Sequence, residues 1–177
     1  TKPITAVALL MLMEEGLIAL DDPVKRFIPA FADLKVQNGR APGRDMTVLD
    51  LLRHTSGLTY GFHNRTPIDA EYRRLRIAET DTEGGLPAMI AQLAALPLEY
   101  SPGQAWIYSA ATDVVGYLVE LVSGRSYARF VREKILTPLK MTDTDFQLEK
   151  DKRQRFAACY AFKNGKLDLF DDPMKSP

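Results

Sequence analysis

Apolar residues fill the start of the chain almost without interruption and then retreat into stripes. From Ile4 to Met13 nearly every position is apolar. Pro3 suits a first helical turn and Gly16 a stop, so the pattern predicts a helix from Pro3 to Glu15. A helix apolar on every face belongs in the middle of a larger body. The run is too short to cross a bilayer, which takes about 20 apolar residues. It also lacks the basic flank of a secretion signal and ends in Glu14, Glu15 and Gly16. The chain opens on Thr1, Lys2 and Pro3 with no initiator methionine, and the expectation is that residues precede Thr1.

Further along, the apolar positions become periodic. Leu17 to Pro23 reads as a tight exit, and Val24, Phe27, Ile28 and Phe31 as a short helix or turn broken by Pro29. A polar Gly/Pro loop follows from Asn38 to Asp45. Thr47 with Asp50 three residues later forms a capping-box pattern that opens a helix through His54, ended by Ser56 and Gly57. The mixed stretch 60–86 reads as an insertion or lid with a helix over Ile68–Ile77, and Pro87–Leu96 as another short helix. Val114, Val115, Leu118, Val119, Leu121 and Val122 recur at helical spacing behind Ser109, the expected cap. Gly124 ends that helix. Ser126 opens the next, whose face is Tyr127, Phe130, Val131 and Ile135, with Pro138 beyond its end. Last comes an alternating pair, Phe156–Phe162 and Leu167–Phe170, around Asn164 and Gly165, the signature of a hairpin with a type I′ turn. One hairpin is a poor sheet alone, so its partner strands are expected outside this chain.

Composition narrows the function classes. The 177 residues hold 23 Lys plus Arg against 23 Asp plus Glu. Zero net charge argues against a nucleic-acid partner or an anionic membrane surface. The 46% hydrophobic content is that of a globular chain. A single cysteine, Cys159, excludes an internal disulfide and fits a reducing compartment. The two histidines, His54 and His63, have no cysteine neighbours, so no metal-ligand spacing is present.

Candidate chemistry centres on Ser101 to Asp113. A Pro-Gly turn, two aromatics and the pair Tyr108-Ser109 lead directly into a helix, placing a phenol at a helix mouth. A free phenol is a poor base near neutral pH unless a cation stands beside it. Lys2, at the head of the apolar helix, is the candidate cation, and a lysine sharing a proton with a phenol can activate a hydroxyl. The plain alternatives are a packed tyrosine and a solvated terminal lysine. His54 and Ser56 also invite a serine–histidine reading, but no Gly-x-Ser-x-Gly elbow surrounds Ser56.

Four segments in order carry a resemblance. They are Thr1-Lys2-Pro3 entering the apolar helix, Leu51 to Leu58, Pro97 to Ser109, and Val114 to Leu139. Together they resemble the serine β-lactamase, DD-peptidase and family VIII carboxylesterase superfamily. The resemblance implies a fold that is mainly α with a C-terminal β-hairpin, part of an α+β fold with a helical domain and an incomplete sheet. Residues 1–177 would form one partial domain: 1–16 the buried active-site helix, 17–155 the helical region with a lid at 60–86, and 156–170 the hairpin.

The resemblance further implies a Ser-x-x-Lys nucleophile motif with Lys2 as its lysine, which puts the serine before Thr1. No serine in the chain precedes a lysine at that spacing; Thr137 and Lys140 have it, but at a helix exit. Tyr108 matches the second motif's tyrosine, and Tyr60 an aromatic that lines the acyl pocket. Ala110 stands where penicillin-recognising members carry an asparagine, which tilts the resemblance toward esterases. The late-strand motif, which supplies one oxyanion donor, has no counterpart. The implied activity is ester hydrolysis through an acyl-enzyme, with a small-molecule ester or β-lactam as partner and neither metal nor organic cofactor. Alternatives are a β-lactamase or DD-peptidase, and a catalytically inactive binding module. The esterase reading favours the cytoplasm; a signal removed upstream would place the protein in the periplasm. Oligomeric state is open.

Overall fold

The structure, a computed structural model, describes residues 1–79 and 84–175, and the chain divides into two compact units, Thr1–Lys140 and Met141–Pro177. The chain is mainly helical with one two-stranded antiparallel sheet among the described residues, as the apolar periodicities imply.

The first unit contains α1 (Lys2–Glu14), α2 (Val48–Leu52), α3 (Pro67–Arg74), α4 (Gly85–Ala94), α5 (Ala111–Ser123) and α6 (Tyr127–Val131), the last continuing as one π turn over Arg132–Leu136. Its axis is α5, which packs against α1, α2, α4 and α6. Ala111, Val114, Val115, Leu118 and Val119 of α5 are buried; each valine or leucine so buried contributes about 1.5–3 kcal/mol. Leu121, expected on this face, is exposed. Gly124 ends α5 in the left-handed conformation, φ 65°, where a Cβ is penalised. Ser126 caps α6 by accepting from the Arg129 amide. No described helix is long and apolar enough to cross a membrane.

The all-round apolar pattern of α1 resolves differently from expectation. Thr5, Ala8, Leu9 and Leu12 are buried, while Val7 is exposed. Helix α1 thus buries one stripe, and α5, α6 and the π turn pack against the helix. The apolar residues after it make two 3₁₀ turns, Val24–Arg26 and Pro29–Phe31, with Val24, Ile28 and Phe31 buried.

Helix α2 is set by Asp50. Its carboxylate accepts from the Thr47 amide at 2.9 Å and hydroxyl at 2.8 Å, from the Thr55 hydroxyl at 2.9 Å, and from both Arg44 nitrogens at 2.6 and 2.8 Å. The Asp50 amide returns the capping-box bond to Thr47 Oγ1. The helix is shorter than expected and stops at Leu52; His54 already has φ 56°. Gly57 follows with φ 86°, and a Cβ there would overlap the Tyr100 carbonyl, so the turn requires glycine.

A second capping box, Thr66 with Asp69, starts α3. That helix ends at Arg74, before the expected limit, and Arg76 and Ala78 take positive φ. Within the segment 60–86, residues 80–83 lie outside the described residues. Ser109 does not cap α5 as expected. Ala110 is the N-cap residue and no side chain caps it, because His54 engages Ser109 instead.

The second unit carries a 3₁₀ turn, Lys150–Arg155, and the hairpin β1 (Cys159–Lys163) and β2 (Lys166–Asp171). Asn164 and Gly165, at φ 50° and 78°, form the expected two-residue turn. Phe162 pairs with Leu167 and Tyr160 with Leu169, so one face is apolar; all four side chains are exposed.

Burial pushes the Asp50 carboxyl up, but the bonds from Arg44, Thr47 and Thr55 outweigh it and hold its pKa at about 2. Asp50→Ala is therefore expected to destabilise the chain by about 2–3 kcal/mol, read from the urea midpoint at neutral pH. A carboxylate with a depressed folded pKa stabilises above its unfolded value of 3.8, and that contribution is lost as pH falls toward about 2. The gap between variant and parent should accordingly close in acid over that window.

Candidate active site

Tyr108 lies in an extended stretch laced to the turn after α2. The Ile107 amide donates to the His54 carbonyl at 2.9 Å, and the Ala110 amide to the Thr59 carbonyl at 3.2 Å. Glu99 and Gly103 donate to the carbonyls of Gly57 and Thr55, both at 2.8 Å. These bonds present the Tyr108 ring beside the first turn of α1, where Pro3 sits without needing a hydrogen-bonded amide.

There Lys2 Nζ donates to Tyr108 Oη at 2.6 Å. The ammonium also lies 4.3 Å from the Tyr108 ring centroid, within cation–π range. The two residues are 106 positions apart in sequence, and the fold brings them into direct contact. Tyr108 is exposed, so its phenol is reachable from solvent.

Tyr60, the third expected site residue, stands beside them, its ring 5.3 Å from that of Tyr108 and stacked on Phe62 at 4.9 Å. Its hydroxyl donates to Asp113, in the first turn of α5. Burial first, then the Asp113 charge, pushes the Tyr60 phenol well above its ordinary range. Burial likewise raises the Asp113 carboxyl, opposed by its own backbone amide, the Lys2 charge and the Tyr60 hydrogen bond. Behind this cluster Thr5 Oγ1 and Tyr127 Oη meet at 2.5 Å and tie α1 to α6.

Both histidines face the same stretch. His54 Nδ1 lies 3.3 Å from the Ser109 amide and 3.3 Å from its hydroxyl, and its ring is 5.1 Å from that of Tyr108. His63 Nε2 lies 2.7 Å from the Tyr108 carbonyl oxygen. Ser56 is fully buried and its Oγ accepts from the Leu58 amide. His54 is bonded to Ser109, so the serine–histidine reading of Ser56 fails on geometry. Ala110 is fully buried.

The arrangement supplies a cation touching a phenol, an aromatic wall of Tyr60 and Phe62, and one nearby carboxyl. A cavity of about 290 Å³ is lined by Lys2 itself, with Pro3, Thr5, Leu51, His54 and Val115 among its other walls. A roomier hollow of about 530 Å³ in the second unit brings together no comparable pair. Asp113, His63, Phe62 and Trp106 were not among the sequence candidates. Asp113 had a legible signal, a carboxylate five residues after Tyr108 in the first turn of a helix; His63 had none.

A sequence model described as Beta-lactamase matches residues 1–176. Protein Rv1367c of Mycobacterium tuberculosis is 37% identical over 168 residues, covering 90% of this chain and 41% of its own length. Esterase EstB of Burkholderia gladioli is 37% identical over 162 residues, covering 90% of this chain and 40% of its own. Among solved structures, EstCE1, described as a hydrolase with promiscuous acyltransferase activity, superposes with a TM-score of 0.82 at 27% identity, over 97% of this chain and 44% of that one. The chain thus spans about two fifths of the length of the curated relatives it matches.

Desolvation first, then the Lys2 charge, lowers the His54 pKa below 6.5. A group whose folded pKa is depressed stabilises above its unfolded value and loses that contribution as pH falls through the folded one. The melting temperature should fall as pH drops below about 6.5. His54→Asn offers Ser109 an acceptor that does not titrate, and should flatten that slope in a thermal-melt series from about pH 7.5 to 5.

Proposed function

The chain belongs to the beta-lactamase family, a family of serine hydrolases and acyltransferases that includes esterases, and we propose that it carries the proton-transfer half of an ester-cleaving site. The observation that carries this reading is the 2.6 Å contact between Lys2 Nζ and Tyr108 Oη. The contact stands at an accessible, aromatic-walled position. A phenol that only packs does not need an ammonium against its oxygen.

In the whole protein, the serine three positions before Lys2 attacks the ester carbonyl carbon. The new C–O bond forms as the serine proton passes to the Lys2–Tyr108 pair, which accepts it in the form that holds one proton fewer than ammonium plus phenol. Collapse of the tetrahedral intermediate breaks the bond to the alcohol, which leaves with that proton. Water then attacks the acyl-enzyme, gives a proton to the same pair and releases the acid as the serine recovers its own. Tyr60 lines the acyl side, its hydroxyl committed to Asp113. Asp113, in the first turn of α5, lies within reach of the Lys2 charge, which lowers its carboxyl pKa against the effect of burial.

Esters are favoured over β-lactams by Ala110. It is buried, and its methyl donates no hydrogen bond. The relatives point the same way: Esterase EstB is named for ester hydrolysis and EstCE1 is described as a hydrolase.

In the full-length protein, Lys2→Ala and Tyr108→Phe should each lower p-nitrophenyl butyrate turnover by about 100-fold or more. Near-normal turnover by either variant would sink the assignment. Rapid nitrocefin acylation would move the substrate class to β-lactams.

A further inference from the structure

The chain's two histidines both hold the stretch that carries Tyr108, but in chemically different ways. His54 faces the amide of Ser109, so its Nδ1 must be free of a proton to accept. His63 faces the carbonyl oxygen of Tyr108 itself at 2.7 Å. A carbonyl oxygen has no proton to give, so His63 Nε2 is the donor. The neutral Nε2–H tautomer and the imidazolium both make that bond.

His63 reaches Tyr108 from a braced frame. It ends the turn Gly61–His63, closed by Asn64 in the left-handed conformation with Nδ2 donating to the Phe62 carbonyl at 2.9 Å. The Arg73 guanidinium donates to the Gly61 carbonyl and, at 2.9 Å, to the buried Asp69 carboxylate. Asp69 in turn accepts the amides of Arg65 and Thr66 at 2.6 and 2.9 Å. Thr66 Oγ1 donates to the buried Glu99 at 3.1 Å. The frame is therefore anchored to α3 and to Glu99, and its free end is an imidazole on the main chain of Tyr108.

We propose that His63 is a positioning residue for proton transfer at Tyr108: its Nε2–H holds the Tyr108 carbonyl and thereby sets the phenol at contact distance from Lys2. The Tyr108 side chain springs from the residue whose carbonyl His63 holds, and its far end is the oxygen that Lys2 contacts. A shift of the backbone is carried to the oxygen, and proton transfer depends steeply on donor–acceptor geometry. The role rests on the relay reading of Lys2 and Tyr108.

The test uses the full-length protein with His63→Ala, His63→Gln and Tyr108→Phe, labelled with [13Cζ]tyrosine. The Tyr108 resonance is assigned by its loss in Tyr108→Phe. Glutamine Nε2 places an amide N–H close to where imidazole Nε2–H sits. The expected result for His63→Ala is a kcat on p-nitrophenyl butyrate about tenfold lower with little change in KM, a displaced Tyr108 resonance and a melting temperature within about 3 °C of the parent. His63→Gln should recover kcat to within about twofold and restore the resonance. The proposal is overturned if His63→Ala leaves kcat and the Tyr108 resonance unchanged, or if His63→Gln is as impaired as His63→Ala. Full turnover by Tyr108→Phe overturns the relay reading and this proposal together. A silent His63→Ala beside an inactive Tyr108→Phe overturns this proposal alone.

Discussion

Four carbonyls of the turn after α2, those of His54, Thr55, Gly57 and Thr59, accept amides of Ile107, Gly103, Glu99 and Ala110. An extended segment cannot satisfy its own backbone, so it must borrow partners from elsewhere. Here the loan also fixes the depth and direction of Tyr108. The turn can accept these bonds because Gly57 lets the Tyr100 carbonyl approach and because Asp50 locks the helix just before it. Helix α5 begins where the lacing ends, and α1 packs on α5. Lys2 and Tyr108 meet as a consequence of this stack.

The electrostatics around the contact are graded by burial. Asp113, at the start of α5, has its carboxyl raised by desolvation yet faces the Lys2 ammonium. Burial and then the same ammonium lower the His54 pKa. Tyr60 is kept a donor, its phenol raised by burial and by Asp113. One cation thus acts on a carboxyl and an imidazole. Tyr60 is bonded to Asp113 and His54 to Ser109, while Lys2 donates to the Tyr108 oxygen.

Legibility in the sequence followed the range of the forces involved. The two-residue turn at Asn164 and Gly165 was readable because positive φ is a local demand that few residues meet. The Thr47–Asp50 box was readable because both of its bonds close within four residues. The end of α2 was less so, since Leu52 is followed by residues whose conformation answers to 99–110 rather than to their neighbours. Ser109 shows the same effect at a single side chain. A serine before a helix reads as a cap, yet an imidazole 55 positions away takes its amide and hydroxyl. The uneven burial of α1 was hidden for a related reason: a run of apolar residues does not say which side its neighbours will occupy.

By itself the sequence determined the helix-rich order of elements, the hairpin with its Asn164-Gly165 turn and the residue types able to form a lysine–tyrosine pair. Each of these is set by propensity, periodicity or steric demand within about a dozen residues. Only the tertiary structure decided that Lys2 touches Tyr108, that Tyr60 is bonded to Asp113, and that both histidines hold the Tyr108 stretch. Those contacts join residues 45 to 106 positions apart. Their geometry comes from backbone lacing and helix packing, which no local pattern encodes.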